Sequence, residues 1–230
     1  MFERQTFRRS VSSRKGGFKV SADKRGRTIS GISSRYYDRV SNWAGLGEAF
    51  RAKVVDEASL KPGESILDCG CGTGRLAFVA KRRVGREGLV RGIDLSRDQL
   101  AIAKENAQGE GLDIEFIEGS IDELPFPDDS FDAIFSTLML HHVPRGVKTA
   151  AFGEMRRVLR PGGRIVIVDF GPPKNFWGRL LFSPLMLALM VFSTSRDNAP
   201  GRLPELMSGA GLRVTEQSMI KFVVHLIKAE

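Results

Sequence analysis

Two aspartates and a run of glycines carry the first chemical signal in this chain. Leu67-Asp68-Cys69-Gly70-Cys71-Gly72-Thr73-Gly74 reads as the end of a strand running into the start of a helix. Glycines in such a turn let backbone approach a ligand closely, and the free N–H groups of the first helical turn point at it. Asp94 closes the next strand, at the place from which a carboxylate accepts hydrogen bonds from a ribose diol. A dinucleotide fingerprint would need a third glycine where this chain has Arg75, and the spacing is G-x-G-x-G instead. Asp68 would also lie where a pyrophosphate sits, and like charges at that range cost on the order of 1 kcal/mol or more. His141 and His142 form a second group, after what reads as the fourth strand, and Tyr36 and Tyr37 are the only two tyrosines. A histidine here could serve as a general base near neutral pH, or cap the following turn through its ring nitrogens.

A ligand with a ribose diol and an ammonium group but no phosphate suits this combination of acids, and S-adenosyl-L-methionine has that charge distribution. Cys69 and Cys71 sit one residue apart and cannot build a disulfide framework, and no carboxylate or histidine cluster has metal-ligand spacing. Free cysteines of this kind suggest a reducing, cytoplasmic compartment.

These residues need a scaffold. From Ser65 onward, apolar runs alternate with amphipathic stretches: strands over Ser65–Asp68, Leu89–Asp94, Ile114–Glu118, Phe131–Ser136 and Arg164–Asp169. Helices are expected over Arg75–Arg83, from Ser96 with Gln99 completing a capping box, and over Arg145–Leu159 before Arg160-Pro161-Gly162-Gly163. A short helix near Leu203–Ala210 and strands over Arg213–Ser218 and Phe222–Lys228 close the chain. That rhythm predicts an α/β fold: a doubly wound, mostly parallel, seven-stranded sheet in a single Rossmann-like domain spanning residues 35–230.

The 230 residues, 42% hydrophobic and 27% charged, have the composition of a globular protein rather than of a disordered or polytopic membrane chain. The net charge of +8 is concentrated in a tail: residues 1–30 hold nine basic side chains against Glu3 and Asp23, and the remaining 200 hold 26 basic and 25 acidic ones. Residues 1–34 read as a disordered basic tail, because Arg, Ser and Gly without apolar period cannot offset chain entropy. A solvated extension, a contact with acidic lipid or nucleic acid, and a transit peptide all stay open for it. Residues 173–200 form an apolar insertion with Arg179 and Pro184 breaking the run, too short to span a bilayer. A core or dimer helix, a lid over a substrate and a membrane-surface contact are its three readings.

The run Ile66–Gly74, Gly92-Ile93-Asp94-Leu95-Ser96, Glu123-Leu124-Pro125-Phe126, Asp128-Asp129-Ser130-Phe131-Asp132 and Arg157-Val158-Leu159-Arg160-Pro161-Gly162-Gly163 resembles successive motifs of class I S-adenosylmethionine-dependent methyltransferases. Within them the sequence is most similar to the ubiquinone/menaquinone C-methyltransferase-like branch, also through Tyr37-Asp38. The resemblance implies that Asp68, Gly70, Cys71, Gly72, Thr73 and Gly74 surround the methionine part of the cofactor. Asp94 would take the ribose, Leu95 the adenine, and Thr137 a further cofactor contact. Ser120 and Ile121 stand where relatives carry Asp-Ala, the acid receiving the adenine amino group. Quinone C-methyltransferases have Arg-Asn where this chain has His141-His142, whereas phosphoethanolamine methyltransferases pair a nearby histidine with an N-terminal tyrosine. His141 and Tyr37 are therefore the catalytic candidates.

The implied reaction is methylation of a small, apolar, quinone- or lipid-like acceptor, with peripheral membrane contact as an option. A nucleic-acid or protein methyltransferase recruited by the tail is the alternative, as is a non-catalytic S-adenosylmethionine-binding protein. The nucleic-acid reading ranks low, because Ser136-Thr137-Leu138-Met139 replaces the Asp/Asn-Pro-Pro-Tyr/Phe run of amino-methylating DNA enzymes. S-adenosylhomocysteine is expected to raise the melting temperature by mass action while NAD leaves it unchanged, and stabilisation by NAD alone would refute the cofactor assignment.

Overall fold

The computed structural model describes residues 19–23, 26–30, 45–171, 202–221 and 224–230. Chain order within it is β1 (Lys19–Asp23), β2 (Gly26–Ser30), α1 (Glu48–Asp56), β3 (Ser65–Cys69), α2 (Arg75–Val84), β4 (Leu89–Asp94), α3 (Arg97–Gly109), β5 (Glu115–Glu118) and β6 (Phe131–Thr137). It continues with a 3-10 turn (Leu140–His142), α4 (Arg145–Val158), β7 (Leu159–Phe170), α5 (Leu203–Gly209), β8 (Val214–Lys221) and β9 (Val224–Ala229).

Seven strands form one sheet in the order β5-β4-β3-β6-β7-β9-β8. The first five in that order are parallel; β9 runs antiparallel to β7, and β8 antiparallel to β9. The chain winds outward from β3 to β5, then returns to place β6 on the other side of β3. That reversal opens a crevice beyond the carboxyl ends of β3 and β6, where parallel sheets hold their ligands.

Apolar residues on both faces of each strand produce this sandwich. Ile66 and Leu67 are successive and fully buried, yet they belong to different core layers. One layer joins Ile66, Val90 and Phe135 to Val54 of α1, Phe78 of α2 and Leu100 of α3. The other joins Leu67, Ile134 and Ile165 to Phe152 and Met155 of α4 and Met207 of α5. The doubly wound expectation is met.

Helix α3 starts as its sequence dictates: the Ser96 hydroxyl accepts from the Gln99 amide at 3.4 Å. One other expectation changes. β7 begins at Leu159 rather than Arg164, pairing Leu159 with Phe131 before a register shift that absorbs the Pro-Gly-Gly bend. Within the basic tail, β1 and β2 pair antiparallel, Val20 opposite Ile29. The rest of the tail, Tyr37 and the insertion at 173–200 lie outside the described residues. No helix among the described residues is long and apolar enough to cross a membrane.

At the opposite end of the sheet from the crevice, Arg164 of β7 ties three segments together. Its guanidinium grips Glu64 at 3.0 and 2.6 Å and donates to the carbonyls of Ala58, Ser59 and Asp132. Burial raises the Glu64 carboxyl, but the ion pair with Arg164 and the Lys61 amide outweigh it and leave the pKa lowered. Arg164→Ala should therefore destabilise the fold by about 2–4 kcal/mol, since it strands a mostly buried carboxylate and several carbonyls. Urea unfolding measures this, and a loss within experimental error would show that the clamp is dispensable.

Candidate active site

The crevice is a single cavity walled by the ends of β3, β4, β5 and β6. Its floor is the glycine turn. The amides of Gly70 and Cys71 both donate to the Ile93 carbonyl, at 2.8 and 3.1 Å, and the Gly72 amide donates to Asp94 Oδ2 at 2.9 Å. Gly70 has φ +74°, and a Cβ there would lie 2.3 Å from Met139 Cγ, so this position requires glycine twice over. Gly74, at φ +79°, caps α2 and packs against Phe78 and Phe116.

Of the cofactor candidates read from the sequence, Asp68, Gly70, Cys71, Gly72, Thr73, Asp94, Leu95, Ser120, Ile121 and Thr137 all line this one cavity. Gly74 does not; it starts the helix behind it. Asp68 is 2% exposed, and its Oδ2 has no hydrogen-bond partner among the described residues. Desolvation, then the charge of Asp94, push its pKa up to about 7, with Arg51 opposing them. Gln99 Oε1 and Thr137 Oγ1 are likewise buried without a partner, and both residues line the same cavity. Three residues lining one cavity thus each carry a buried oxygen unpartnered among the described residues, which suits hydrogen-bond donors.

Asp94 is raised as well, by burial, against the opposing pull of the Ser96, Gly72 and Leu95 amides. Its two oxygens accept from Ser96 N at 2.8 Å and Gly72 N at 2.9 Å. A carboxylate has about four lone-pair sites, so both oxygens can still accept a hydroxyl each. A ribose diol fits at Asp94 and an ammonium group at Asp68, and the residues suit S-adenosylmethionine.

The sequence reading missed one wall of the cavity. Helix α1 contributes Phe50 and Arg51, and Leu46 precedes it. Its only sequence signal is the buried trio Phe50, Val54 and Val55, and it starts at Gly47 without a side-chain cap. Arg75, dismissed above as a broken fingerprint, also lines the cavity.

On the β6 side, Leu138 has φ +53°, a conformation costing about 1–3 kcal/mol for a bulky residue. Its amide nonetheless donates to Val168 O at 2.7 Å, and the bend swings the chain into the 3-10 turn of the histidines. The structure places His142, not His141, on the cavity wall. His141 turns inward: its Nδ1 lies 2.8 Å from Asp169 Oδ1, and its backbone amide donates to Asp169 Oδ2 at 3.2 Å. Burial raises the Asp169 carboxyl, but the charge and hydrogen bond of His141 and the Phe170 and His141 amides more than reverse this, so it stays ionised. The two imidazoles are in contact, with ring centroids 3.9 Å apart. Neither Asp169 nor the choice between the histidines was legible beforehand, because both depend on the bend at Leu138.

A protein-family model described as a methyltransferase domain matches residues 66–163. The chain is 38% identical over 176 residues to a demethylmenaquinone methyltransferase of Thermus thermophilus, covering 74% of this chain and 78% of that one. It is 36% identical over 146 residues to a 2-phytyl-1,4-naphtoquinone methyltransferase of Trichormus variabilis, spanning 60% of this chain and 62% of that relative's length. A SAM dependent methyltransferase from Aquifex aeolicus shares the fold, with a TM-score of 0.64 at 21% identity over 86% of this chain and 96% of that one.

A ligand ammonium group beside Asp68 would make binding pH-dependent. Because the folded-state pKa of Asp68 is raised, its stabilising proton is held at low pH and lost as pH rises through about 7. A ligand ammonium group favours the ionised form, so affinity for S-adenosylhomocysteine should rise by about tenfold or more from pH 5.5 to 7.5 and then flatten. Calorimetric titration should show a flat profile for Asp68→Asn, and a flat profile in the unmodified protein would overturn the assignment. By sequence, fold and cavity together, the chain belongs to the class I S-adenosylmethionine-dependent methyltransferases, in the branch of the quinone C-methyltransferases.

Proposed function

We propose that this chain transfers a methyl group to an apolar, quinol-like small molecule. Asp68, which lines the cavity with one oxygen unpartnered among the described residues, carries the methyltransferase half of that reading, because it suits an ammonium ligand and repels a phosphate. Bound S-adenosylmethionine supplies a methyl group made electrophilic by a sulfonium. The acceptor class is supported by the relatives named for menaquinone and naphtoquinone chemistry. It is also supported by the apolar side chains of Leu46, Phe50, Leu138, Met139 and Val143 on the cavity wall, although Arg51 lies among them. Apolar contact there would contribute about 25 cal/mol per Å² of buried acceptor surface without needing a charge partner.

His142 is the group placed to move a proton. A ring nitrogen on the cavity wall can take the proton of a phenolic hydroxyl, which makes the neighbouring ring carbons more nucleophilic. Asp169 holds His141, and His141 packs its ring against His142 and sets its orientation. Leu138 and Met139 give that end of the cavity an apolar lining. Tyr37 is proposed as a second acceptor-side residue on the strength of the family resemblance. The insertion at 173–200 is proposed on its composition as a cover for an apolar acceptor and as the place of any membrane-surface contact.

Incubation with methyl-labelled S-adenosylmethionine and either a prenylated naphthoquinol or a pool of hydrophilic metabolites tests the acceptor class. Label is expected in the apolar fraction. His142→Gln should lower kcat by about 10²–10⁴-fold while leaving S-adenosylhomocysteine affinity unchanged. Label confined to hydrophilic products would overturn the acceptor, and an unchanged kcat would remove His142 from the chemistry.

A further inference from the structure

A second cavity opens on the far side of Phe50. It lies between α1 and the β8–β9 pair, and its volume of about 530 Å³ falls within the roughly 300–1,000 Å³ usual for small-molecule sites. Phe50 lines both this space and the crevice, so one aromatic side chain is a wall the two share. Val54 and Leu226, both fully buried, form its base. Ala49 and Ile220, both exposed, line it nearer the solvent.

Ile220 reaches the cavity through an irregularity in its strand. Met219 pairs with His225 and Lys221 with Val224, which leaves Ile220 as the extra residue of a bulge in β8. Bulges re-aim a side chain, and this one turns an isoleucine that is 38% exposed toward α1. β8 runs in the direction of β7, so its last residues lie at the crevice end of the sheet. Three charged residues also line the space, and two of them are drawn to partners outside it. Asp56 pairs with Arg83 of α2 at 2.7 Å, and Glu57 with Lys228 of β9 at 2.6 Å. The third, Lys53, is exposed, and its long stem can carry the ammonium group into water. What remains for an occupant is mainly hydrocarbon, and burying the exposed Ile220 against an apolar one is favourable.

Resting on the acceptor class proposed above, we propose that this second cavity holds an aliphatic, isoprenoid-like chain carried by the acceptor ring. The ring lies in the crevice beside His142, and the chain passes Phe50 into the space between α1 and β8. Each methylene buried there raises affinity by about fourfold. Methyl transfer itself needs no chain, so the cavity acts on KM and selects among acceptors that share one ring.

The test compares reduced naphthoquinol acceptors that differ only in their chain: none, or one to four isoprene units. With the unmodified protein, KM should fall by about tenfold or more from the chainless acceptor to the longest one, while kcat changes little. Ala49→Trp fills the cavity from an exposed helix position, and Ile220→Asp places a charge in it. Each should raise KM for the long-chain acceptors by about tenfold, with S-adenosylhomocysteine affinity and the chainless acceptor unaffected. A KM independent of chain length overturns the proposal, as does a long-chain KM that neither variant moves. Equal losses on chainless and long-chain acceptors show a structural fault rather than a chain site, and overturn it too. Farnesol binding to the S-adenosylhomocysteine complex, measured by calorimetry, separates this proposal from the reading it rests on. If no naphthoquinol is methylated but farnesol binds and Ala49→Trp abolishes that binding, the ring assignment fails and the apolar site stands. If farnesol does not bind either, both fail.

Discussion

The glycine turn is backbone suspended from the end of a neighbouring strand, and most of the site follows from that suspension. Gly70 and Cys71 share the Ile93 carbonyl, and Gly72 hangs from the Asp94 side chain. The parallel register sets Asp68 opposite Gly92, where a Cβ would meet Cys71 Sγ at 2.8 Å, so β4 must be bare at that level for the turn to dock. Once docked, the turn seals Asp68 beneath itself and gives Asp94 two tasks, one structural and one toward a ligand. A carboxylate fixed by two amides is already oriented for a diol, so little further entropy is lost when it binds one.

Polar satisfaction is distributed unevenly over the molecule. Away from the crevice, charges are matched: Arg157 reaches Glu154, Asp128 and the carbonyls of Phe126 and Leu124, and Arg164 reaches Glu64 and three carbonyls. At the crevice sit a leucine in the left-handed region and, among the described residues, a buried acid lacking a partner on one oxygen, an orphan glutamine oxygen and an orphan threonine hydroxyl. The described scaffold carries the stability and the site carries the unmet valences. Such a site gains in binding what it lacks in folding, because a ligand that satisfies those groups stabilises the native state alone.

How far each feature could be read from the sequence depended on how local its cause is. Strand β4 and the cap at Ser96 were readable, since apolar runs and capping residues act over a few positions. Asp68 and Asp94 were readable as neighbours in one cavity because they flank a glycine turn between a strand and a helix. Helix α1 was not: two thirds of its sequence is charged or small, and Val54 and Val55 are buried in a core layer that Phe78 of α2 and Leu226 of β9 share. Arg51, its contribution to the cavity, was lost with it. Asp169 acts through a pairing with His141 that no spacing rule announces.

The two halves of the cavity are also built by different means, and that bears on how this chain differs from its relatives. The half attributed to the cofactor is made of strand ends tied to one another by backbone hydrogen bonds, so its geometry tolerates few changes. The other half comes from the end of β6, from α1 and from Leu46, where side chains rather than backbone form the wall. Substitutions there alter the ligand without disturbing the sheet, as expected when function resides in loops held by a rigid frame. The His141-His142 pair, in place of the Arg-Asn of quinone methyltransferases, is such a substitution. An arginine at the wall would bring a fixed positive charge suited to holding an anionic oxygen. An imidazole braced by a second imidazole and a buried carboxylate can instead take a proton and give it back. In the proposed reading the same frame approaches a phenolic acceptor by removing its proton, with the imidazoles set by the bend at Leu138 and the acid at Asp169.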